Sequence, residues 1–225
     1  MSSIDTTDAG MAVPVLNLAR DYDLTLLVGS PNHRDGQIRL QVSSAILKLI
    51  SPVWYAMLGP RFVESSKSEI PFPDDSANAF TTVLQIAHFK VEDIDDKMCQ
   101  EDLIDIAKVS DKYDVVRIVF PYINSKHWLL PFKETGVLWN RDVDLDKWLF
   151  FTSIFKMDAD TDYLTNRLAL TLSKNEKKGF TFRGSNGAEQ VLLDDLSEPV
   201  LGEFILQSSP FLLICFGFTK RVVYG

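Results

Sequence analysis

The sequence predicts an α+β protein, with its strands near the start of the chain and a mainly helical remainder. Three observations carry this. Leu24, Leu26 and Val28 alternate with their neighbours, as do Ile38, Leu40 and Val42, on either side of a stretch rich in turn residues. From Ile46 onward, apolar residues recur every three or four positions, the repeat of a helix with one buried face. In the second half Trp148, Phe151, Ile154 and Phe155 repeat that spacing.

The first element is a β-hairpin. The run from Leu24 stops at Gly29, Ser30 to Gly36 supplies the turn, and the second strand follows. Ser43 or Ser44 can accept a hydrogen bond from the free N–H groups at a helix start, and Ile46, Leu49, Ile50 and Val53 then predict an apolar face. Ser51-Pro52 interrupts the helix. A proline is tolerated at a first helical position, so Ser51 as cap and Pro52 as first residue predict a second short helix with Val53, Trp54, Met57 and Leu58 as apolar anchors.

After Gly59 and Pro60, Ser68 to Phe72 predicts a short strand. Pro73 to Ser76 then caps a helix carrying Phe80, Val83, Leu84 and Ala87. A further helix over Glu101 to Tyr113 places Leu103, Ile106, Ala107 and Ser110 on one face. The next, from Val115, is expected to be disturbed at Pro121. These elements make a compact unit over residues 20–128, preceded by a flexible tail over 1–19 in which Leu16 and Leu18 cover the core's edge.

Residues 129–143, with Pro131, Gly136 and Trp139, are expected to form a linker. A helical extension over 144–225 is predicted by the aromatic stripe, by Tyr163, Leu164, Leu168 and Leu172, and by a last helical piece over Leu192 to Leu206. Lys174 to Gly187 is polar and is expected to be a loop.

Composition bounds the function. With 225 residues, 46% hydrophobic and 24% charged, the chain has the make-up of an ordinary globule. A net charge of -8 argues against nucleic acid, whose binding draws on Lys and Arg neutralising phosphates. Two widely separated cysteines, Cys99 and Cys215, give neither a disulfide framework nor zinc spacing, which suits reduced thiols in the cytosol or nucleus. Met1 to Gly10 lacks the basic and apolar regions of a secretory signal. The apolar run Phe211 to Phe218 falls well short of the ~20 residues a membrane span needs.

No motif converges chemistry. Asp158-Ala159-Asp160-Thr161-Asp162 starts like a calcium loop, but Tyr163 stands where a glycine must turn and Ala169 where a bidentate glutamate is required. The aspartates are instead placed at a helix start, whose partial positive charge favours them. His33, His88 and His127 have no ligand partners at metal spacing, and Gly184 to Gly187 is no nucleophile elbow. No cofactor, metal site or catalytic residue is expected.

Taken in order, several segments resemble the successive signatures of a BTB/POZ domain. They are Asp23 to Gly29, Ala45-Ile46-Leu47, Ser51-Pro52-Val53-Trp54, Met57-Leu58, Phe62-Val63-Glu64-Ser65 and Asp111-Lys112-Tyr113-Asp114. The resemblance is nearest to BTB proteins numerous in filamentous fungi, which carry a tryptophan-bearing helical region after the domain. It departs at Gln41, where many members place a histidine. It implies a small sheet flanked by a cluster of short helices, and a non-catalytic module that self-associates or binds other proteins.

A major subset of that family docks on cullins and recruits substrates to a ubiquitin ligase. There a hydrophobic residue, any residue and a glutamate contact the cullin, and Phe62, Val63 and Glu64 match that pattern. The competing assignment packs Phe62 on the domain's own core and leaves Glu64 a solvated loop charge. The alternative function is a homo-oligomerising scaffold in transcription or signalling. A swapped dimer is not expected, because Met11 to Leu18 contains Pro14 and is too short for a stable helix.

Overall fold

The computed structural model describes residues 13–59, 68–134, 145–175, 179–183 and 189–191. It is a mixed α+β structure that divides into two compact units, Met1–Asp95 with Lys108–Val119, and Asp96–Ala107 with Phe120–Gly225.

The first unit is built on a four-stranded sheet in the order β1-β3-β2-β4. Strands β2 (Leu24–Gly29) and β3 (Gln37–Val42) form the antiparallel hairpin expected from their alternation, with Leu26 opposite Leu40 and Leu24 opposite Val42. Strand β4 (Glu69–Phe72) pairs with β2 in parallel, with Ile70 beside Leu26 and Phe72 beside Val28. Because side chains alternate across a strand, this register puts Leu24, Leu26, Val28, Leu40, Val42, Ile70 and Phe72 into one buried layer. On the opposite face Arg39 Nε donates to Glu69 Oε2 at 2.9 Å.

Strand β1 (Val15–Asn17) runs parallel to β3, a strand where the sequence predicts only a tail. Three alternating residues give too little periodicity to announce a strand, and the pairing is supplied by the neighbouring backbone, through Arg39 N–H to Pro14 O and Leu18 N–H to Gln41 O. Leu18 is buried, as expected of a residue covering the core's edge.

The hairpin turn is held by backbone and side chain together. Gly29 has φ +80°, and a Cβ built there would lie 2.3 Å from the carbonyl oxygen of Gly36, so only glycine fits. Asp35, at the end of the turn, accepts from Arg34 Nε at 2.9 Å and from Ser76 Oγ at 2.5 Å. Ser76 caps α3 (Ala77–Ala87) by accepting from Ala79 N–H, so one carboxylate ties the turn to the start of a helix.

Helix α4 (Gln100–Lys112) falls where the sequence places it. Helix α5 (Val116–Ser125) does not stop at Pro121 but continues for four more residues. Proline removes one N–H and crowds the carbonyl four residues before it, and burial of Val119 and Ile123 on either side offsets that cost. Helix α6 (Leu130–Glu134) stands within the expected linker.

In the second unit, α7 (Leu145–Ile154) and α8 (Asp158–Thr171) bury the aromatic stripe. Trp148, Phe151 and Phe155 are buried, and Phe132 meets Trp148 at 5.2 Å between ring centroids. Asp158 and Asp160 stand in the first turn of α8, as their charge predicts, and Asp160 accepts from Lys133 Nζ at 2.8 Å. Tyr163 is exposed rather than part of the stripe, whereas Leu164 and Leu168 are buried.

The expected loop over Lys174 to Gly187 is corrected, because strands occupy much of it. Strands β5 (Leu172–Asn175), β6 (Gly179–Arg183) and β7 (Glu189–Val191) form an antiparallel sheet in that order. The extension is therefore not purely helical. Phe180-Thr181-Phe182 carries the aromatic and β-branched residues that favour strands, a signal too short to stand out from the polar residues around it. The last helical piece expected over Leu192 to Leu206 lies outside the described residues.

Four helices end in the same way. At the ends of α3, α4, α5 and α7, the residues Phe89, Asp114, His127 and Lys156 adopt φ between 50° and 57°. Each lies at the left-handed position of a Schellman cap. At α3, for example, Lys90 N–H bonds to Gln85 O and Phe89 N–H to Ile86 O. That position favours glycine, and Phe89 is the most anomalous of the four, since its ring is also 86% exposed. Phe89→Gly is expected to raise the unfolding free energy by about 1 kcal/mol, read as a higher urea midpoint at unchanged slope.

Candidate docking surface on helices α1 and α2

Helix α1 (Ser44–Ile50) and helix α2 (Pro52–Met57) meet at Ser51. As the sequence predicts, Ser51 Oγ accepts from Trp54 N–H at 3.0 Å and Pro52 opens the new helix. The same hydroxyl donates to the carbonyl oxygen of Tyr113 at 2.5 Å. The bend is thereby fixed to the end of α4 by a buried bond on each side of one oxygen.

Beneath the bend lies an aromatic cluster. Trp54 is fully buried, stacks on Tyr113 with ring centroids 4.9 Å apart, and lies 5.8 Å from Phe80. Phe72 and Tyr113 both pack on Phe80, at 5.2 and 5.3 Å. The Tyr113 hydroxyl donates to Asp75 Oδ2 at 2.6 Å, and Lys112 Nζ reaches both oxygens of that carboxylate at 2.8 Å. Burial, with the neighbouring Asp75 charge added, raises the phenol's pKa far above its ordinary value, so Tyr113 stays a hydrogen-bond donor.

The start of α1 is held differently from expectation. Ser43 makes no side-chain cap. Instead Asp23 accepts from Ser44 N–H at 2.7 Å and from Ser44 Oγ at 2.6 Å. Partial burial opposes its charge, but these bonds prevail and hold the Asp23 carboxyl below its usual value.

What this frame presents outward is apolar. Leu49 is 84% exposed, Tyr55 67% and Val53 38%. The sequence places Leu49 and Val53 on the buried face, and both assignments are corrected: in α1 the fully buried residue is Leu47, and in α2 it is Trp54. With helices of seven and six residues, the periodicity samples too few turns to fix which side faces the core. Tyr55 carries no sequence signal of its own. Phe62, Val63 and Glu64 lie outside the described residues.

Elsewhere the described residues bring together no group of three or more His, Cys, Asp and Glu side chains able to hold a metal. His33 lies beside Asp35 with Nδ1 3.7 Å from Oδ2, His127 is exposed, and His88 is buried between two helices. Cys99 donates its thiol to Asp102, and burial with that acceptor raises its pKa. Among the described residues no helix is long and apolar enough to cross a membrane.

No protein-family model matches the chain, and no curated protein matches it.

Proposed function

We propose that the protein is a non-catalytic adaptor of the BTB/POZ kind, which works by presenting a shaped surface to other proteins in the cytosol or nucleus. The observation that carries this is the α1 and α2 corner, which leaves Leu49, Val53 and Tyr55 in solvent while Trp54 and Ser51 anchor it from beneath. Exposed aromatic and aliphatic side chains on a fixed frame are what a protein interface buries. Each Å² removed from water is worth about 25 cal/mol, and a preformed surface loses little entropy on binding.

The cullin-docking form of this reading adds the triplet Phe62, Val63 and Glu64, in which the apolar ring supplies buried area and the carboxylate supplies orientation. Capture on an immobilised cullin N-terminal domain tests it. The wild type is expected to bind, and Phe62→Ala, Glu64→Lys and Tyr55→Lys each to weaken binding by about tenfold or more, the scale of an interface hot spot. Failure of the wild type to bind removes the cullin form.

Self-association is the second reading, favoured by the same exposed leucine, valine and tyrosine. Light scattering across a concentration series is expected to show a dimer that Leu49→Lys converts to a monomer. A wild type monomeric throughout removes that reading.

A further inference from the structure

His88, at the end of α3, touches the beginning of α1 from 45 residues away in sequence, and both of its ring nitrogens are engaged. Nδ1 lies 2.9 Å from the carbonyl oxygen of Leu84, which can only accept, so Nδ1 carries the proton. Nε2 lies 3.2 Å from the backbone nitrogen of Ser43, whose N–H can only donate, so Nε2 must be bare. The contacts thus define a neutral imidazole in one tautomer. The residue is 8% exposed, with the bond to Leu84 buried and the bond to Ser43 half-buried.

We propose that His88 is a proton-operated latch on helix α1: the neutral ring holds the Ser43 N–H, and protonation at Nε2 turns that acceptor into a donor and releases the first turn of the helix. Two N–H groups cannot share one hydrogen bond, and a buried N–H without an acceptor is strongly disfavoured. The bond lost is an anchoring one, since Ser43 N–H is one of the helix-start donors that the chain's own Ser43 hydroxyl does not satisfy. Asp23 still holds the start of α1 through Ser44, and Leu47 N–H still bonds to the Ser43 carbonyl oxygen.

The charged groups at this junction are few. Asp23 is engaged with Ser44, Lys48 on α1 acts on Asp23, and Lys90 follows the end of α3. On the sheet, Arg39 is paired with Glu69. Burial lowers the pKa of His88 from 6.5, with the bond to Leu84 opposing it. A depressed folded-state pKa sets the sign. Above pH 6.5 neither folded nor unfolded ring is protonated and the latch contributes fully. As pH falls below that value the unfolded state takes up the proton first, and stability declines until the folded ring titrates too. The upper edge of this window, at 6.5, lies above the ordinary carboxylate range, so its onset is separate from titration of Asp and Glu.

The latch is independent of what binds at the helix corner, because its readouts are ring protonation and amide exchange. Imidazole nitrogen shifts and exchange protection at Ser43 should be followed together from pH 8 to pH 5 by nuclear magnetic resonance. At the upper limit Nδ1 is expected to be protonated and Nε2 bare. On acidification below pH 6.5, protection at Ser43 should fall by up to about tenfold per pH unit, levelling off once the folded ring itself takes up the proton. In His88→Gln, whose amide oxygen can replace Nε2 as acceptor, protection at Ser43 should stay constant over the same range. A proton on Nε2 at pH 8 overturns the proposal, and so does Ser43 protection that does not change as pH falls below 6.5. So does a ring that stays neutral until the whole chain unfolds. The wild-type ring shifts decide the matter even if the variant does not fold.

Discussion

Replacing Trp54 by alanine is expected to lower the unfolding free energy by about 3–5 kcal/mol, the usual range for deleting a buried tryptophan. The side chain is fully buried and lies against Tyr113 and Phe80, so its removal opens a cavity bounded by two large rings. Its indole N–H has no hydrogen-bond partner among the described residues. The loss is therefore one of apolar area and ring contact rather than of a polar bond. Urea unfolding followed by circular dichroism measures it. A loss below about 1 kcal/mol would mean that the rings collapse into the space, and that Trp54 does not anchor the bend. Because Trp54 is the fixed point of α2, the same variant should also lose any binding that depends on Leu49 and Tyr55, even at temperatures where it remains folded.

The second large effect is expected at Gly29→Ala, a loss of about 3 kcal/mol from a single added methyl group. Two causes act together. At φ +80° an L side chain is strained, and the new Cβ would meet the Gly36 carbonyl oxygen at 2.3 Å, a distance that forces the hairpin apart. The comparison is Gly36→Ala, where φ is +67° but nothing lies within 4 Å of the added atom. That variant retains only the backbone strain, so a difference of about 1 kcal/mol or more between the two isolates the steric contribution. Equal effects would assign the whole loss to backbone strain.

How far the sequence announces this structure depends on how many repeats each signal contains. The hairpin is legible because six alternating apolar positions and a turn containing Ser, Pro, Asn, Asp and Gly agree on one answer. The caps at Ser51 and Ser76 were legible for a related reason: each hydroxyl stands directly before a helix start. The sequence marks helices α1 and α2 but not their buried sides, and its periodicity turns Leu49 inward although the side chain is exposed. The candidate surface is hidden by that periodicity, which assigns Leu49 and Val53 to the core and says nothing of Tyr55.

Other features depend on tertiary partners that no local pattern reveals. Asp23 caps a helix 21 residues away, and His88 reaches Ser43 across 45. Asp75 could be read as part of a helix cap, yet its carboxylate serves Tyr113 and Lys112 instead. The left-handed helix ends at Phe89, Asp114, His127 and Lys156 were hidden because the residue that normally marks them, glycine, is absent.

The pairing of β4 limits how copies of this protein can join. Thr25 N–H bonds to the carbonyl oxygen of Ser68, so alternate residues from Ser68 direct their backbone groups toward β2, and those of Glu69 and Pro71 point away. Pro71 has no N–H to offer, so the outer rim of the sheet cannot present a full row of donors to an incoming strand. Growth of the sheet from molecule to molecule, the usual route from an open rim to fibrils, is interrupted on that side.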